Sequence, residues 1–106
     1  MSKYLIKASY TPEGVRGLAK EGGTSRRDNT DKLVQNSGGT MESFYFAFGE
    51  EDAYVICDLP NNAAAASVAL AINSSGAVSI KTTVLLTPDE VDEATRKSVD
   101  YRPPGK

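Results

Sequence analysis

The sequence predicts an α+β domain in which strands and helices follow the order βαββαβ. Residues 44–59 hold two apolar, aromatic and β-branched runs on either side of the acidic tetrapeptide Gly49–Asp52, a pattern typical of a β-hairpin. On each side of this hairpin the chain predicts one helical region and one further strand. This order is the ferredoxin-like arrangement, a four-stranded antiparallel sheet with its helices on one face.

The first half of the chain predicts a strand and a broken helix. Polar and apolar residues alternate through residues 3–10, as in a strand with one buried face. Thr11 precedes a proline and can cap a helix that begins at residue 12. Gly22-Gly23 is expected to interrupt this helix, and Thr24 or Ser25 to cap a second piece, so that helical structure covers about 12–36.

The second half predicts three strands and two helices. The hairpin strands are expected near 41–48 and 53–59. An alanine-rich run behind an asparagine cap predicts a helix over 62–74, which would touch the sheet on one side and another element on the other. A β-branched segment predicts the last strand over 77–86, and a capping box that starts at a Thr-Pro pair predicts a short helix over 88–96.

Size and charge indicate one domain with no nucleic-acid partner. The chain has 106 residues, of which we expect 1–96 to form the folded domain and 97–106 to form a mobile C-terminal tail. Twelve basic and fourteen acidic residues leave a net charge of −2, without the basic surface that nucleic acid requires. The N-terminal segment lacks the apolar stretch of a signal peptide, and no segment predicts a membrane span. We therefore expect a cytoplasmic protein with no membrane partner.

The residue types exclude several chemistries. Histidine is absent, which removes histidine-based acid–base catalysis, proximal haem ligation and the usual histidine-containing metal sites. The acids at 50–52 have no further ligands nearby and predict a solvated turn, so we expect no metal and no cofactor. Cys57 is the only cysteine and lies in an apolar strand, which predicts a buried, unreactive thiol and no intrachain disulfide.

Both faces of the predicted sheet carry apolar side chains. The hairpin would place Phe44, Phe46 and Phe48 on one face and Met41, Tyr45 and Ala47 on the other. Helices on one side leave the second face without a cover from its own chain, and a monomer rarely exposes a large apolar face to water. We therefore expect a homodimer or larger homo-oligomer that is joined through this face.

The hairpin and its flanking segments resemble the GYD-domain family of small bacterial proteins. The resemblance covers about residues 4–93 and includes GEED between FYFAF and AYVICDLPNNAAAASVALA, TPEG after the first strand, and GAVSIKTTVLLTPDE. Gly49 and Asp52 match the glycine and aspartate of the name-giving motif, and Glu51 stands where the motif has an aromatic residue. The resemblance implies a dimeric α/β barrel, in which two ferredoxin-like sheets face each other, and a biochemical role that is largely unassigned.

Seven residues are candidate ligand contacts: Tyr10, Thr11, Gly14, Tyr45, Gly49, Asp52 and Tyr54. The first three lie where the first strand meets a helix N-terminus, which could hold an anion, although capping alone explains Thr11. Asp52 is expected to accept hydrogen bonds from the hairpin turn. Arg26 and Arg27 could also reach an anion, but a solvated loop pair is the preferred interpretation.

Three functions stay open at this point. The first, which we prefer, is an oligomeric module that binds a small molecule or a protein partner. The second is a cofactor-independent oxygenase or isomerase of the dimeric-barrel type, with Tyr10, Tyr45, Tyr54 or Asp52 as its acid–base groups. The third is a purely structural subunit of an oligomer. The sequence identifies no catalytic set that separates an enzyme from a binding protein.

Overall fold

The computed structural model describes residues 1–106 and confirms the predicted α+β architecture. Four strands form one antiparallel sheet in the order β2-β3-β1-β4. None of the helices is long and apolar enough to cross a membrane. The elements are β1 (Ser2–Tyr10), α1 (Pro12–Glu21), α2 (Gly23–Asn36), β2 (Thr40–Phe46), β3 (Ala53–Leu59), α3 (Asn62–Asn73), β4 (Val78–Leu85) and α4 (Pro88–Thr95).

The predicted break in the first helical region lies at Gly22. This residue has a φ of 87° and closes α1, since its N–H donates to the carbonyl of Leu18 at 2.8 Å. The prediction that Thr24 or Ser25 caps the second piece is wrong, because α2 begins at Gly23 with no side-chain cap. The left-handed backbone at Gly22 turns the chain at once, which a residue with a Cβ would do only under strain.

The core lies between the sheet and the helices. Alternate residues of the two central strands are buried on this face: Tyr4, Ile6 and Ala8 of β1, and Ala53, Val55, Cys57 and Leu59 of β3. The Tyr4 hydroxyl donates to Asn62 Oδ1 at 2.7 Å, which satisfies the one polar atom of this buried ring. The prediction of a buried cysteine is confirmed, and burial raises the pKa of the Cys57 thiol to about 11.

The opposite side of the sheet, which we call the open face, has no helix over it. Its side chains are Lys3, Leu5, Lys7 and Ser9 of β1, Tyr54, Ile56 and Asp58 of β3, Thr40, Ser43 and Tyr45 of β2, and Ser79, Lys81, Thr83 and Leu85 of β4. Apolar residues are present on both faces, as predicted, but lysines and acids occupy much of the open face. The register sets Tyr45, Tyr54, Lys7 and Lys81 in one row across the four strands.

A register shift in β2 changes the face of one predicted residue. Met41 pairs with Cys57 while Ser43 pairs with Ile56, so Glu42 is an extra residue in the strand. Met41 therefore packs against the core on the helix side, and the prediction that it shares a face with Tyr45 is wrong. The bulged Glu42 side chain accepts from Lys3 Nζ at 2.7 Å.

Helix α3 packs on the sheet by one side only. Ala65 and Val68 are buried, whereas Leu70 on the outer side is 73% exposed. The prediction that the outer side meets another element is therefore wrong within this chain. Small alanines let the helix approach the sheet closely, and the remaining apolar surface faces outward.

The N-terminus of α1 is fastened to the start of β4. Thr11 Oγ1 accepts from the N–H of Gly14 at 3.2 Å, which confirms the predicted cap, and it donates to the carbonyl of Ala77 at 3.2 Å. The backbone N–H of Thr11 donates to the same carbonyl at 3.0 Å. Gly14 lies so close to the carbonyl of Ala77 that a Cβ added to the glycine would overlap with the carbonyl oxygen.

We predict that Gly14→Ala lowers the free energy of unfolding by about 1–3 kcal/mol, because the new methyl must displace backbone rather than a flexible side chain. Gly17→Ala is the matched control in the same helix. Nothing lies within 4 Å of its added Cβ, so we expect a gain of up to about 1 kcal/mol from helix propensity. Urea denaturation of both variants tests the contact, and equal stability of the two would contradict it.

Candidate functional site

A cavity of about 60 Å³ lies between the sheet and the helices α2 and α3. Twelve of its fourteen lining residues are hydrophobic. The two helices cover opposite halves of the sheet, since α2 packs on β2 and α3 packs mainly on β4. The central strands therefore form the floor of a gap between the helices.

Two alanines on the central strands account for the empty space. Ala8 and Ala53 lie directly opposite each other on β1 and β3, and both are buried. Their side chains end at Cβ, whereas the neighbouring residues in the same cross-strand row are Phe46 and Ile80. The floor is thus low at its centre and higher at its edges, which leaves a depression where larger residues would pack.

The polar part of the cavity wall comes from Tyr10, Arg26 and Thr30. Arg26, Thr30, Leu33 and Val34 share one side of α2 because they are separated by four, three and one residues. The Thr30 hydroxyl donates to the carbonyl of Arg26 at 2.9 Å. The Arg26 guanidinium has only one acidic neighbour, Glu21, at 3.8 Å, so it is a weakly held cation beside an apolar cavity.

Tyr10 stands beside Arg26 at the mouth of the cavity. Burial raises the pKa of its phenol above the ordinary value, and the charges of Asp52 and Glu21 act in the same direction, while the Arg26 charge opposes them. The phenol therefore stays protonated at neutral pH. In this state it can donate a hydrogen bond to a ligand but cannot act as a base.

A second hollow, of about 240 Å³, lies on the outer side of these two residues and follows α1. It shares Tyr10, Arg26 and Val78 with the cavity and is otherwise lined by residues of α1 and by Ala77. The two spaces adjoin at the Tyr10–Arg26 pair. One site can therefore offer an apolar interior, a cation at its mouth and an outer groove open to water.

The structure brings four of the seven candidate residues to the cavity and leaves three outside it. Tyr10 lines the cavity, Gly14 lines the outer groove, and Thr11 and Asp52 hold the backbone beside them. Tyr45 and Tyr54 lie on the open face, where they are paired directly across β2 and β3. Gly49 lies in the exposed hairpin loop. The first group adjoins the cavity, and the other three lie outside it.

Asp52 anchors the hairpin to β1. Its carboxylate accepts from the N–H of Tyr10 at 2.8 Å, and its own N–H donates to the carbonyl of Ala8 at 2.8 Å. Asp52 accepts a backbone hydrogen bond, but the prediction that the hairpin turn donates it is wrong, because the donor is Tyr10 at the end of β1. Because β3 lies beside β1, the residue that precedes β3 necessarily meets the last residues of β1.

Glu51 is buried, which corrects the prediction of a solvated acidic turn. It is 8% exposed and accepts from Ser9 Oγ at 2.6 Å and from Lys81 Nζ at 3.3 Å. The hydrogen bond from Ser9 chiefly lowers the pKa of this carboxyl, with help from Lys81, while burial opposes the shift. The residue in the place of the motif aromatic is therefore an ionised acid in a polar network beside the open face.

The prediction that Arg26 and Arg27 form a solvated loop pair is wrong. Both lie in α2, where Arg27 is exposed and pairs with Asp28 at 2.9 Å, while Arg26 points to the cavity. The helical spacing of Arg26 with Thr30 and Leu33 was present in the sequence and indicates this side. The spacing is hard to recognise in the sequence, because the many polar residues of α2 weaken its amphipathic pattern.

We predict that Asp52→Ala lowers the free energy of unfolding by about 1–3 kcal/mol, because it leaves the half-buried N–H of Tyr10 without its charged acceptor. Glu50→Ala is the matched control, since Glu50 is an exposed acid in the same loop. Urea denaturation measures both variants. If Asp52→Ala is as stable as the control, the anchor contributes nothing to the fold.

Comparison with known proteins places these features in a family. The chain matches no curated protein, and it matches no solved structure. The family description of the GYD domain matches residues 4–95, which include β1 from Tyr4 onward, the other three strands, the cavity and the hairpin with Gly49 and Asp52. This match covers most of the 106 residues, so the chain belongs to the GYD domain family.

Proposed function

We propose that this protein is a homodimeric module that binds a small molecule with a short apolar part and an anionic group. The cavity carries this proposal: it combines an apolar lining, a floor lowered by two alanines and a single cation at its mouth. A pocket of this type, mostly apolar with a few convergent polar groups, is the usual form of a small-molecule site.

The volume limits the apolar part of the ligand. A buried water requires about 10–15 Å³ of such space, so a cavity of about 60 Å³ has room for about four non-hydrogen atoms. A longer ligand would extend past Tyr10 into the outer groove of about 240 Å³. The size supports a short alkyl chain rather than a nucleotide or a polycyclic molecule.

The charge of the ligand follows from Arg26. Its guanidinium can bind a carboxylate through two parallel hydrogen bonds, and the protonated Tyr10 hydroxyl can donate a third. Glu21 at 3.8 Å is a weak competitor that a ligand carboxylate can replace. A short carboxylic acid therefore fits the site better than a neutral or cationic molecule of the same size.

We predict that hexanoate binds and raises the melting temperature, whereas hexan-1-ol and acetate at the same concentration raise it less. Hexan-1-ol lacks the charge that Arg26 would bind, and acetate lacks the chain that would fill the cavity. Ligands stabilise the folded state by mass action, so the shift should grow with ligand concentration. Differential scanning fluorimetry and titration calorimetry measure the two effects.

Two variants test the location of this site. Arg26→Met should weaken hexanoate binding about tenfold or more, the value of a charge-assisted hydrogen bond, whereas Arg27→Met should leave it unchanged. Ala8→Val should fill the cavity floor and reduce binding without loss of folding. Equal effects of the two arginine variants, or no heat of binding for any probe, would contradict the proposal.

The homodimer is supported by the open face. Tyr45 is 72% exposed, and Leu5, Tyr54, Ile56 and Leu85 lie on the same face with no helix above them. Two such sheets can pack face to face about 10 Å apart, and a two-fold axis lets one patch serve both copies. This packing would cover the apolar residues that the helices leave bare.

We predict that sedimentation equilibrium at micromolar concentration gives twice the chain mass of 11.3 kDa. Tyr45→Glu should weaken the dimer, because it places a charge among the apolar side chains of the contact. Leu70→Glu is the matched control, since Leu70 is equally exposed but lies on the outer side of α3. A monomer mass throughout the concentration range would refute the dimer.

A further inference from the structure

The last part of the chain projects from the domain. We call residues 86–106 the C-terminal arm; it contains α4 and the tail. Every residue from Pro88 to Lys106 is exposed, and no residue of α4 is buried. The radius of gyration is 16.9 Å, whereas a compact chain of this length has about 13 Å. The arm is therefore surface without a packing partner in its own chain.

The arm nevertheless has a defined helix. Thr87 and Glu90 form a capping box, in which Glu90 N–H donates to Thr87 Oγ1 at 3.2 Å and Thr87 N–H donates to Glu90 Oε1 at 3.0 Å. A helix of eight residues is too short to persist in water without packing. The arm also exposes large apolar side chains, since Leu86 is 62%, Val99 79% and Tyr101 70% exposed. A second surface is needed to cover them.

Charge indicates which surface this is. Helix α4 carries four acids, Asp89, Glu90, Asp92 and Glu93, and no base. On the open face, Lys7 and Lys81 are paired directly across β1 and β4, a repulsive arrangement of like charges. Lys81 has Glu51 at 3.3 Å, but Lys7 has no acid within 4 Å. This side of the open face is complementary to the acidic helix.

We infer that the arm of one copy docks on the β1–β4 half of the open face of a second copy, with the acids of α4 beside Lys7 and Lys81, while the two sheets meet through the β2–β3 half of the face. This inference rests on the proposed dimer and adds to it a contact that the sheets do not provide. Two-fold symmetry makes the exchange reciprocal, so each copy gives one arm and receives one.

A fluorescent reporter tests the docking directly. The chain contains no tryptophan, so Tyr101→Trp introduces the only indole, at an exposed aromatic position of the arm. Its emission should move to shorter wavelength as the protein concentration crosses the dimer dissociation constant measured by sedimentation equilibrium. Emission typical of an exposed indole in a sample that is fully dimeric overturns the inference and leaves the dimer intact.

A charge exchange tests the partner surface. The arm variant Asp92→Lys/Glu93→Lys keeps the capping box, and its lysines suit the C-terminal half of a helix. The sheet variant is Lys7→Glu. Each alone should dimerise about tenfold more weakly than the wild type, because two acid–lysine contacts become repulsive in each dimer. Lys32→Glu on α2, with the same charge change, should dimerise as the wild type does.

The mixture of the two variants separates the outcomes. In a heterodimer of the two variants, the lysines of the arm variant meet the acid introduced at position 7, and the acidic arm of the sheet variant meets Lys7 of the other chain. Both contacts are attractive, so native mass spectrometry should show the heterodimer in excess over both homodimers. A statistical mixture, or variants that dimerise as the control does, overturns the inference while the dimer stands. A wild-type chain that stays monomeric overturns both the inference and the proposed dimer.

Discussion

The constraint on which the structure depends is the position of β1 between β3 and β4. Because β1 is hydrogen-bonded to a strand on each side, its side chains can point only to the two faces of the sheet. Ala8 faces the helices and Lys7 faces away from them. Its last residue, Tyr10, then enters the mouth of the cavity just before α1 begins. One strand of nine residues thus contributes side chains to the floor of the cavity, to its mouth and to the basic half of the open face.

The hairpin residues 51 and 52 fasten this strand from two sides. Asp52 accepts from the backbone of Tyr10, and Glu51 accepts from the hydroxyl of Ser9 on the opposite face. Consecutive residues of β1 are therefore held by consecutive acids of the loop, one toward the cavity and one toward the open face. A change in this loop would be felt in both proposed surfaces, and this explains why the motif of the family can matter without contacting a ligand itself.

The alternation in β1 and the caps at Thr11 and Thr87 were sufficient to predict the order of elements, because each is a local pattern with a local physical cause. The cavity was not predictable in this way. It depends on Ala8 and Ala53, which are separated by 45 positions and become neighbours only through the register of β1 with β3. The burial of Glu51 was missed for the same reason, since Ser9 and Lys81 lie far from it in the sequence. The face of Met41 required knowledge of the bulge at Glu42.

The small core gives a physical reason for association. Only 12 of the 106 residues are buried, so the chain retains much of the apolar surface that folding normally removes from water. Conformational entropy opposes folding along the whole chain, including α1 and α4, which have no buried residue. An interface on the open face would bury further apolar surface without any longer sequence. The stability of the fold would then depend on protein concentration, because a partner that binds only the folded chain shifts the folding equilibrium by mass action. If the proposed dimer forms, assembly is part of folding, and the contact on the open face would make the cavity on the other side of the same sheet more rigid.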